Sequence, residues 1–429
     1  MKFSAILTLV IAAFILPGTV HANGEALSPL AEKAVSGTDI ESAEAVKSLR
    51  NSGPDGLKAL FDTYAAEIDE FRVKGIETER WQKIAAAIDA VAMQKDAYAS
   101  GLYWYTDFDE AKKAASKTDK PILTLRLLGN LNEEFSCANS RLFRSLLYAN
   151  REISKYLSDN YILHWKSVRP APRITIDFGD GRKIERTITG NSIHYILDDD
   201  GEIIDALPGL YSPKAFLIYL TQAKQVNDAI DGKERRIQDL ALLRYRKLCF
   251  DRLRDKRERV GTLAKVQPRN AEGDIVTNFG DAFAAAPRAV TKVAVTDEIS
   301  LLRVYDTFTR LAPFFYFGDW EKLAAFYSPM PVLDDASTSF VRRQTGLTDA
   351  EFNKMITRLR SFVGLDTTRN DFIYHMQLYT WLNAGRTSDI EQFNSRVYSE
   401  IFLTPDSDKW LGLYSTDVYT ALDGNGITK

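Results

Sequence analysis

The sequence predicts an α/β central domain flanked by N-terminal and C-terminal all-α regions. Two observations predict it. Apolar residues recur at three-to-four spacing before about residue 100 and again beyond about residue 298, the mark of amphipathic helices. Between them lie short apolar runs bounded by Gly, Pro and Asp, in the order strand, helix, strand, hairpin, helix. That order belongs to a mixed sheet packed by helices.

At the N-terminus, Met1-Lys2-Phe3-Ser4 leads into an apolar stretch from Ala5 to Pro17 and then into Gly18-Thr19-Val20-His21-Ala22. One positive charge, an apolar core of ~7–15 residues and small residues before the cut are the features of a cleaved secretory signal. Cleavage is expected after Ala22, so residues 1–22 are a signal peptide and the protein is exported: periplasmic if the source is Gram-negative, secreted otherwise. The apolar run is shorter than the ~20 residues of a spanning helix, and no membrane span is expected after cleavage. The 429 residues suffice for two or three domains, and a hydrophobic content of 45% is ordinary for a globular chain. The formal charge is -3, one unit more negative once Lys2 leaves, with Lys and Arg scattered. Such a balance argues against nucleic acid or an anionic membrane as partner. Two cysteines allow at most one disulfide.

Residues 23–101 form the first helical region, with three or four helices expected. Gly53-Pro54 breaks it, and Trp81, Ile84, Ile88 and Val91 lay out one apolar face. Residues 102–225 form the α/β domain. A helix over 108–116 starts at Asp107 as N-cap, and Lys120-Pro121 leads into a strand over 122–128. A loop over 129–135, one helix over 138–157 and a strand over 161–165 come next. The runs 174–178 and 183–188 pair around Gly179-Asp180-Gly181, and 193–197 and 202–205 pair around Asp198-Asp199-Asp200-Gly201. Pro213 then opens a helix running past Ala223. Residues 226–297 are a charged helix, continuous from about 222 to 259 with Leu242, Tyr245, Cys249 and Leu253 on one face, and then a polar linker or wrap over 261–296. Residues 298–429 are helical again to about 402. Their aromatic groups, Phe314 to Phe317 with Trp320 and Phe326, then Tyr374, Tyr379 and Trp381, suit a core or the lining of a partner groove. The tail 403–413 is expected to pack back onto the helices.

Three motifs stand in register in the α/β domain: Lys120-Pro121-Ile122-Leu123, Cys137-Ala138-Asn139-Ser140, and Tyr148-Ala149-Asn150-Arg151-Glu152-Ile153. With them, the stretch from about Tyr103 to Ala223 resembles the thioredoxin-like superfamily, above all its exported members. These carry a Lys-Pro strand, a Cys-x-x-Cys helix start and an aromatic-x-Asp/Asn-x-x-aliphatic element. The whole chain resembles exported bacterial proteins with an embedded thioredoxin-like domain. The resemblance implies that Cys137 stands where the attacking cysteine does, and Ser140 where the resolving cysteine does. It also implies that Ser192, in Gly190-Asn191-Ser192-Ile193, stands at the cis-proline of the loop that faces the thiol and docks substrate. Ser136 replaces the usual Trp before the first cysteine.

A cysteine at a helix start meets unpaired amide N–H groups that stabilise a thiolate. Ser140 can hydrogen-bond that thiolate but cannot close a disulfide. Glu133 and Glu134 place negative charge nearby, which would raise a thiol pKa. A non-proline cis bond at Ser192 would cost ~2.5–4 kcal/mol, so a trans peptide is expected there. Cys137 is thus either a functional thiol or a buried small hydrophobe. Cys249, on an apolar helix face, reads as core, and a Cys137–Cys249 bridge is not expected.

His194 follows the facing loop and would be the base for the thiol if it points the right way, although strand alternation equally allows a hydrogen-bonded sheet histidine. The other histidines, His164 and His375, share no ligand spacing with it. The acidic turn at 198–201 lacks the alternating ligands and distal Glu of a calcium loop. No metal or cofactor is expected. The candidate site residues are therefore Cys137 and Ser140 for chemistry, and Asn191, Ser192 and His194 for binding. The sequence favours a binding or scaffold role in the cell envelope with a protein partner. The alternative is monothiol disulfide exchange or isomerase-type activity through Cys137 on a protein thiol or disulfide.

Overall fold

The computed structural model describes residues 22–187, 191–266, 317–385, 389–402, 404–407, 421, 422 and 427. The expected signal segment before Ala22, Gly190, the aromatic residues 314–316, the linker beyond residue 266 and most of the tail over 403–413 lie outside them.

Five helices come first among the described residues: α1 (Ala22–Ser36), α2 (Asp39–Asn51), α3 (Pro54–Thr63), α4 (Ala65–Lys74) and α5 (Glu79–Ala92). The number exceeds the expected three or four because Gly53, at φ +67, and Pro54 restart the chain after α2, and Tyr64 breaks it once more. Thr38 caps α2 in a full capping box, and Thr78 accepts from the Trp81 amide to cap α5. Leu49, Leu60, Ile84, Ile88 and Val91 are buried together, with Phe71 stacked on Trp81 at 4.0 Å between ring centroids. The Arg50 guanidinium donates to the carbonyls of Val91 (2.9 Å) and Trp104 (2.6 Å), tying this layer to the chain entering the sheet.

The middle of the chain is mixed α/β. It runs α6 (Phe108–Thr118), β1 (Ile122–Leu128), α7 (Ala138–Leu142), α8 (Arg151–Asn160), β2 (Ile162–Arg169), β3 (Arg173–Asp177), β4 (Lys183–Thr187), β5 (Ser192–Leu197), β6 (Ile203–Pro208) and α9 (Pro213–Ile230). Four strands form one sheet in the order β2-β1-β5-β6, with β1 and β2 parallel and the other pairings antiparallel. Strands β3 and β4 make a separate two-stranded ribbon. Every residue of β1 is buried, which is why it reads as an almost unbroken apolar run.

Two helices expected to be continuous are broken. The stretch over 138–157 passes from α7 into a π-helical turn, Phe143–Tyr148, and restarts at α8, where the Asn150 side chain accepts from the Ile153 amide. Asn at that place satisfies a helix start better than a helix interior. The charged helix expected from residue 222 is likewise divided. Helix α9 ends at Ile230, Gly232 turns the chain at φ +66, and α10 (Arg235–Ala264) begins anew.

Among the described residues, the last helices are α11 (Phe317–Tyr327), α12 (Asp335–Thr345), α13 (Asp349–Arg369), α14 (Met376–Ala384) and α15 (Ile390–Arg396). Helix α13 continues through a second π-helical turn, Asn370–His375, and α15 through a third, Val397–Ile401. They share one core with the sheet, in which Val397, Tyr398 and Ile401 pack with β1 and β5. The Tyr195 hydroxyl of β5 donates to Asn394 Oδ1 at 3.1 Å. Arg126, the one charge inside β1, is fully buried and reaches Glu391 of α15 at 2.9 Å, and Glu391 also holds Lys166 of β2 at 3.1 Å. No helix among the described residues is long and apolar enough to cross a membrane.

Arg126 fixes one prediction. Glu391→Gln leaves a buried guanidinium without its carboxylate and is expected to cost about 1–2 kcal/mol in urea unfolding, below the ~3–5 of a fully buried pair because Glu391 is half exposed. Lys166→Met, at the solvent side of the same carboxylate, is expected to cost under about 1 kcal/mol. Equal losses would contradict this division.

Candidate functional site

Cys137 stands at the end of β1 because three contacts hold the loop before it. Its amide donates to the Leu128 carbonyl at 3.0 Å, and the Gly129 amide donates to the Arg169 carbonyl at 2.7 Å. Gly129 itself sits at φ +74, and a Cβ there would come within 3.1 Å of the Ser136 Cα. A side chain at that position would push the loop off the strand. From β4, Thr187 Oγ1 donates to the Ser136 carbonyl (3.3 Å) and accepts from Arg141 (2.8 Å), so the β3–β4 ribbon braces the other side.

The thiol is the N-cap residue of α7 and has no exposed surface. Its Sγ lies 2.8 Å from Ser192 Oγ and 3.5 Å from Ser140 Oγ. The Ser140 hydroxyl is already engaged with the Cys137 carbonyl at 2.8 Å. Ser192 thus faces the thiol. None of the described peptide bonds is cis.

Beside this group lies part of the chain's own C-terminal region. The Tyr398 hydroxyl donates to the Asn191 carbonyl at 3.1 Å, and Asn191 Nδ2 donates to Thr404 Oγ1 at 3.3 Å. Arg169 donates to the carbonyls of Thr404 and Pro405 and lies 3.7 Å from Asp406. Ser136, Asn139, Ser140, Asn191, Ser192, Tyr398 and Thr404 are all buried, so Tyr398 and Thr404 help to enclose the thiol layer rather than frame an opening.

His194 is not the base for Cys137. It points to the layer of α9 and the first π-helical turn, where its Nε2 is 2.7 Å from the Tyr148 hydroxyl and its ring packs on Phe143 and Phe216. Burial pushes its pKa down to about 3, so the ring is neutral near pH 7 and a weak base. The hydrogen-bonded sheet histidine is the reading the geometry supports. Cys249 is a free, buried thiol beside Leu253, Met376 and Tyr379, and burial pushes its pKa up to about 11. Both cysteines are free, with no bridge between them.

A second buried polar cluster escaped the sequence. Asp205 on β6 meets His375 Nε2 at 2.8 Å, and its other oxygen accepts from Tyr245 of α10 (2.6 Å) and Tyr379 of α14 (3.0 Å). His375 Nδ1 lies 3.5 Å from Asp371, which accepts from Tyr219 of α9 (2.6 Å) and Tyr327 of α11 (2.7 Å). Asp205 and His375 have no exposed surface. Burial alone would lower the His375 pKa, but the charge and hydrogen bond of Asp205, aided by Asp371, push it up to about 9. Burial alone would raise the Asp205 pKa; the imidazolium and the hydroxyl donors bring it below the usual carboxylate value. The cluster is a closed ion pair that joins sheet and helices. No group of three or more His, Cys, Asp or Glu placed to hold a metal occurs among the described residues.

Comparison with known proteins finds no matching family, no matching curated relative and no matching solved structure.

A raised histidine pKa stabilises the fold below the unfolded value and ceases to do so as pH climbs through the folded value. The thermal midpoint is therefore expected to be flat just below pH 6.5 and to fall between pH 6.5 and about 9. His375→Leu should remove that slope and cost more than about 3 kcal/mol, because Asp205 is left buried without its counter-ion. A midpoint unchanged to pH 9 in the parent protein would refute a charged His375.

Proposed function

We propose that this is an exported binding or scaffold protein of the cell envelope, built on a thioredoxin-like frame whose thiol site is closed. The succession of β1, α7, β2, the β5–β6 hairpin and α9 around a four-stranded mixed sheet supports the frame. The expected leader over residues 1–22 is the basis for export, to the periplasm if the cell is Gram-negative. One observation carries the functional reading: Cys137 has no exposed surface, and the Asn191–Ser192 backbone that faces it is itself held by Tyr398 and Thr404 of its own chain. Thiol exchange needs a line of approach to Sγ for the incoming sulfur, and a thiol with no exposed surface offers none. The partner is a protein bound through surfaces other than the thiol pocket.

The second reading, monothiol exchange or isomerase-type activity, has one observation in its favour. The hydroxyl of Ser192 lies 2.8 Å from Sγ, where it would donate to a thiolate. It requires the buried thiol to become exposed in each cycle.

Incubation with oxidised glutathione separates the two. In exchange, the Cys137 thiolate attacks the disulfide, forming a mixed disulfide and releasing one glutathione thiolate. The closed reading predicts no glutathione adduct on native protein by intact mass, and adducts on both cysteines after unfolding in urea. An adduct mapped to Cys137 in native protein would overturn it.

A further inference from the structure

Helix α10 carries two apolar faces, and the fold uses one. Leu242, Arg246, Cys249, Leu253 and Val260 are buried, packed toward the sheet and the C-terminal helices. At about 100° per residue, Ile237, Leu240 and Leu248 fall on the opposite side, with Leu243 at its flank. These four are 44–59% exposed. A surface helix of a globular protein needs one apolar stripe, and a second, unburied one marks a contact surface.

Cations are interleaved with these side chains. Arg236, Arg244 and Lys247 share the same side, and Lys233 stands just before the helix. All four are exposed, and none has an ion-pair partner among the described residues. Arg235, by contrast, is held by Asp200, Glu202 and Asp239. The stripe ends at Leu248, because Asp251, Asp255 and Glu258 follow on the same side. Over residues 233–248, six Lys and Arg stand against two acids, Glu234 and Asp239, in a chain whose net charge is -3. The balance of the whole chain, which argued against an anionic membrane, conceals this local concentration.

We propose that the solvent side of α10 over residues 236–248 docks on an anionic lipid surface, its aliphatic side chains entering the headgroup layer and its cations meeting the lipid phosphates. An exposed stripe that is both aliphatic and basic complements such a surface in charge and in polarity. A second copy of the chain fits poorly, because a two-fold contact sets Arg244 and Lys247 against themselves. A protein partner also fits less well. Protein interfaces are anchored by Trp and Tyr and depleted in Lys, and no aromatic residue lies on this side between 236 and 248. Beside a bilayer, Lys and Arg lay their methylene stems along apolar surface and keep their charges at the phosphates. The proposal goes beyond the binding role above and holds whether or not Cys137 reacts, because its readout is lipid binding alone.

Vesicle flotation of the chain that leader cleavage leaves, beginning at Asn23, tests it. Vesicles of equal parts phosphatidylcholine and phosphatidylglycerol should bind the protein at least ten-fold more tightly than phosphatidylcholine alone, and added salt should weaken that binding. Arg244→Glu with Lys247→Glu should weaken it ten-fold or more. Leu240→Gln with Leu248→Gln should weaken it by a similar factor, which charge attraction alone would not produce. All four positions are exposed, so the circular dichroism spectrum should not change. Equal binding to both kinds of vesicle, binding to neither, or indifference to either pair of substitutions would each overturn the proposal. A dimer in sedimentation velocity that Leu240→Gln with Leu248→Gln dissolves, without vesicle binding, would assign the stripe to a second copy. Binding of an acidic helical peptide in place of vesicles would assign it to a protein.

Discussion

The Asp205–His375 ion pair is the contact on which the arrangement of this protein depends. An isolated charge in that place would be driven neutral or out to water. Each member survives because the other compensates it, and because Tyr245, Tyr379 and, through Asp371, Tyr219 and Tyr327 occupy the remaining acceptor positions. The groups come from β6, α9, α10, α11 and the α13–α14 run, so the pair forms only when sheet and C-terminal helices are docked together. In the same packing of helices on the sheet, Glu391 of α15 meets Arg126 and Tyr398 bonds to Asn191. The closed thiol is thus a consequence of how the sheet and the C-terminal helices pack rather than of anything local to Cys137.

Three π-helical turns among the described residues are the local devices that make this possible. An extra residue in a turn rotates the rest of the helix by about 100° around its axis. The first carries Tyr148, which holds His194; the second carries Asp371 and His375; the third carries Tyr398. Each places a polar side chain inward on an otherwise apolar face. Such turns lack the regular ladder of an α-helix, and it is the buried polar bonds they aim inward that compensate.

The mixed α/β class was legible because the decisive signals were short-range. Asp107 before α6, Pro213 at the start of α9, and the Gly and Asp turns of the two hairpins act within a few residues. The break at Asn150 was missed because apolar spacing continues across it, and only the N-capping habit of Asn would have revealed it. The second cluster was illegible for a different reason. His375 and Asp205 are 170 positions apart, and Tyr398 and Asn191 are 207 apart. A lone histidine in an apolar helix carries no mark of the carboxylate it will meet. His194 shows the converse: its neighbours in sequence suggested the thiol, while the strand's alternation turned it toward Tyr148.

The protonation state of His375 is the most direct test of whether a buried ion pair holds the sheet to the C-terminal helices. Nitrogen-15 NMR of the imidazole, on uniformly labelled protein with His375→Leu to assign the signal, reports whether both ring nitrogens carry protons. An imidazolium is predicted at pH 7.5, titrating only near pH 9. A neutral ring at pH 7.5 would mean that no buried ion pair joins these layers, and that the closure over Cys137 has some other physical basis.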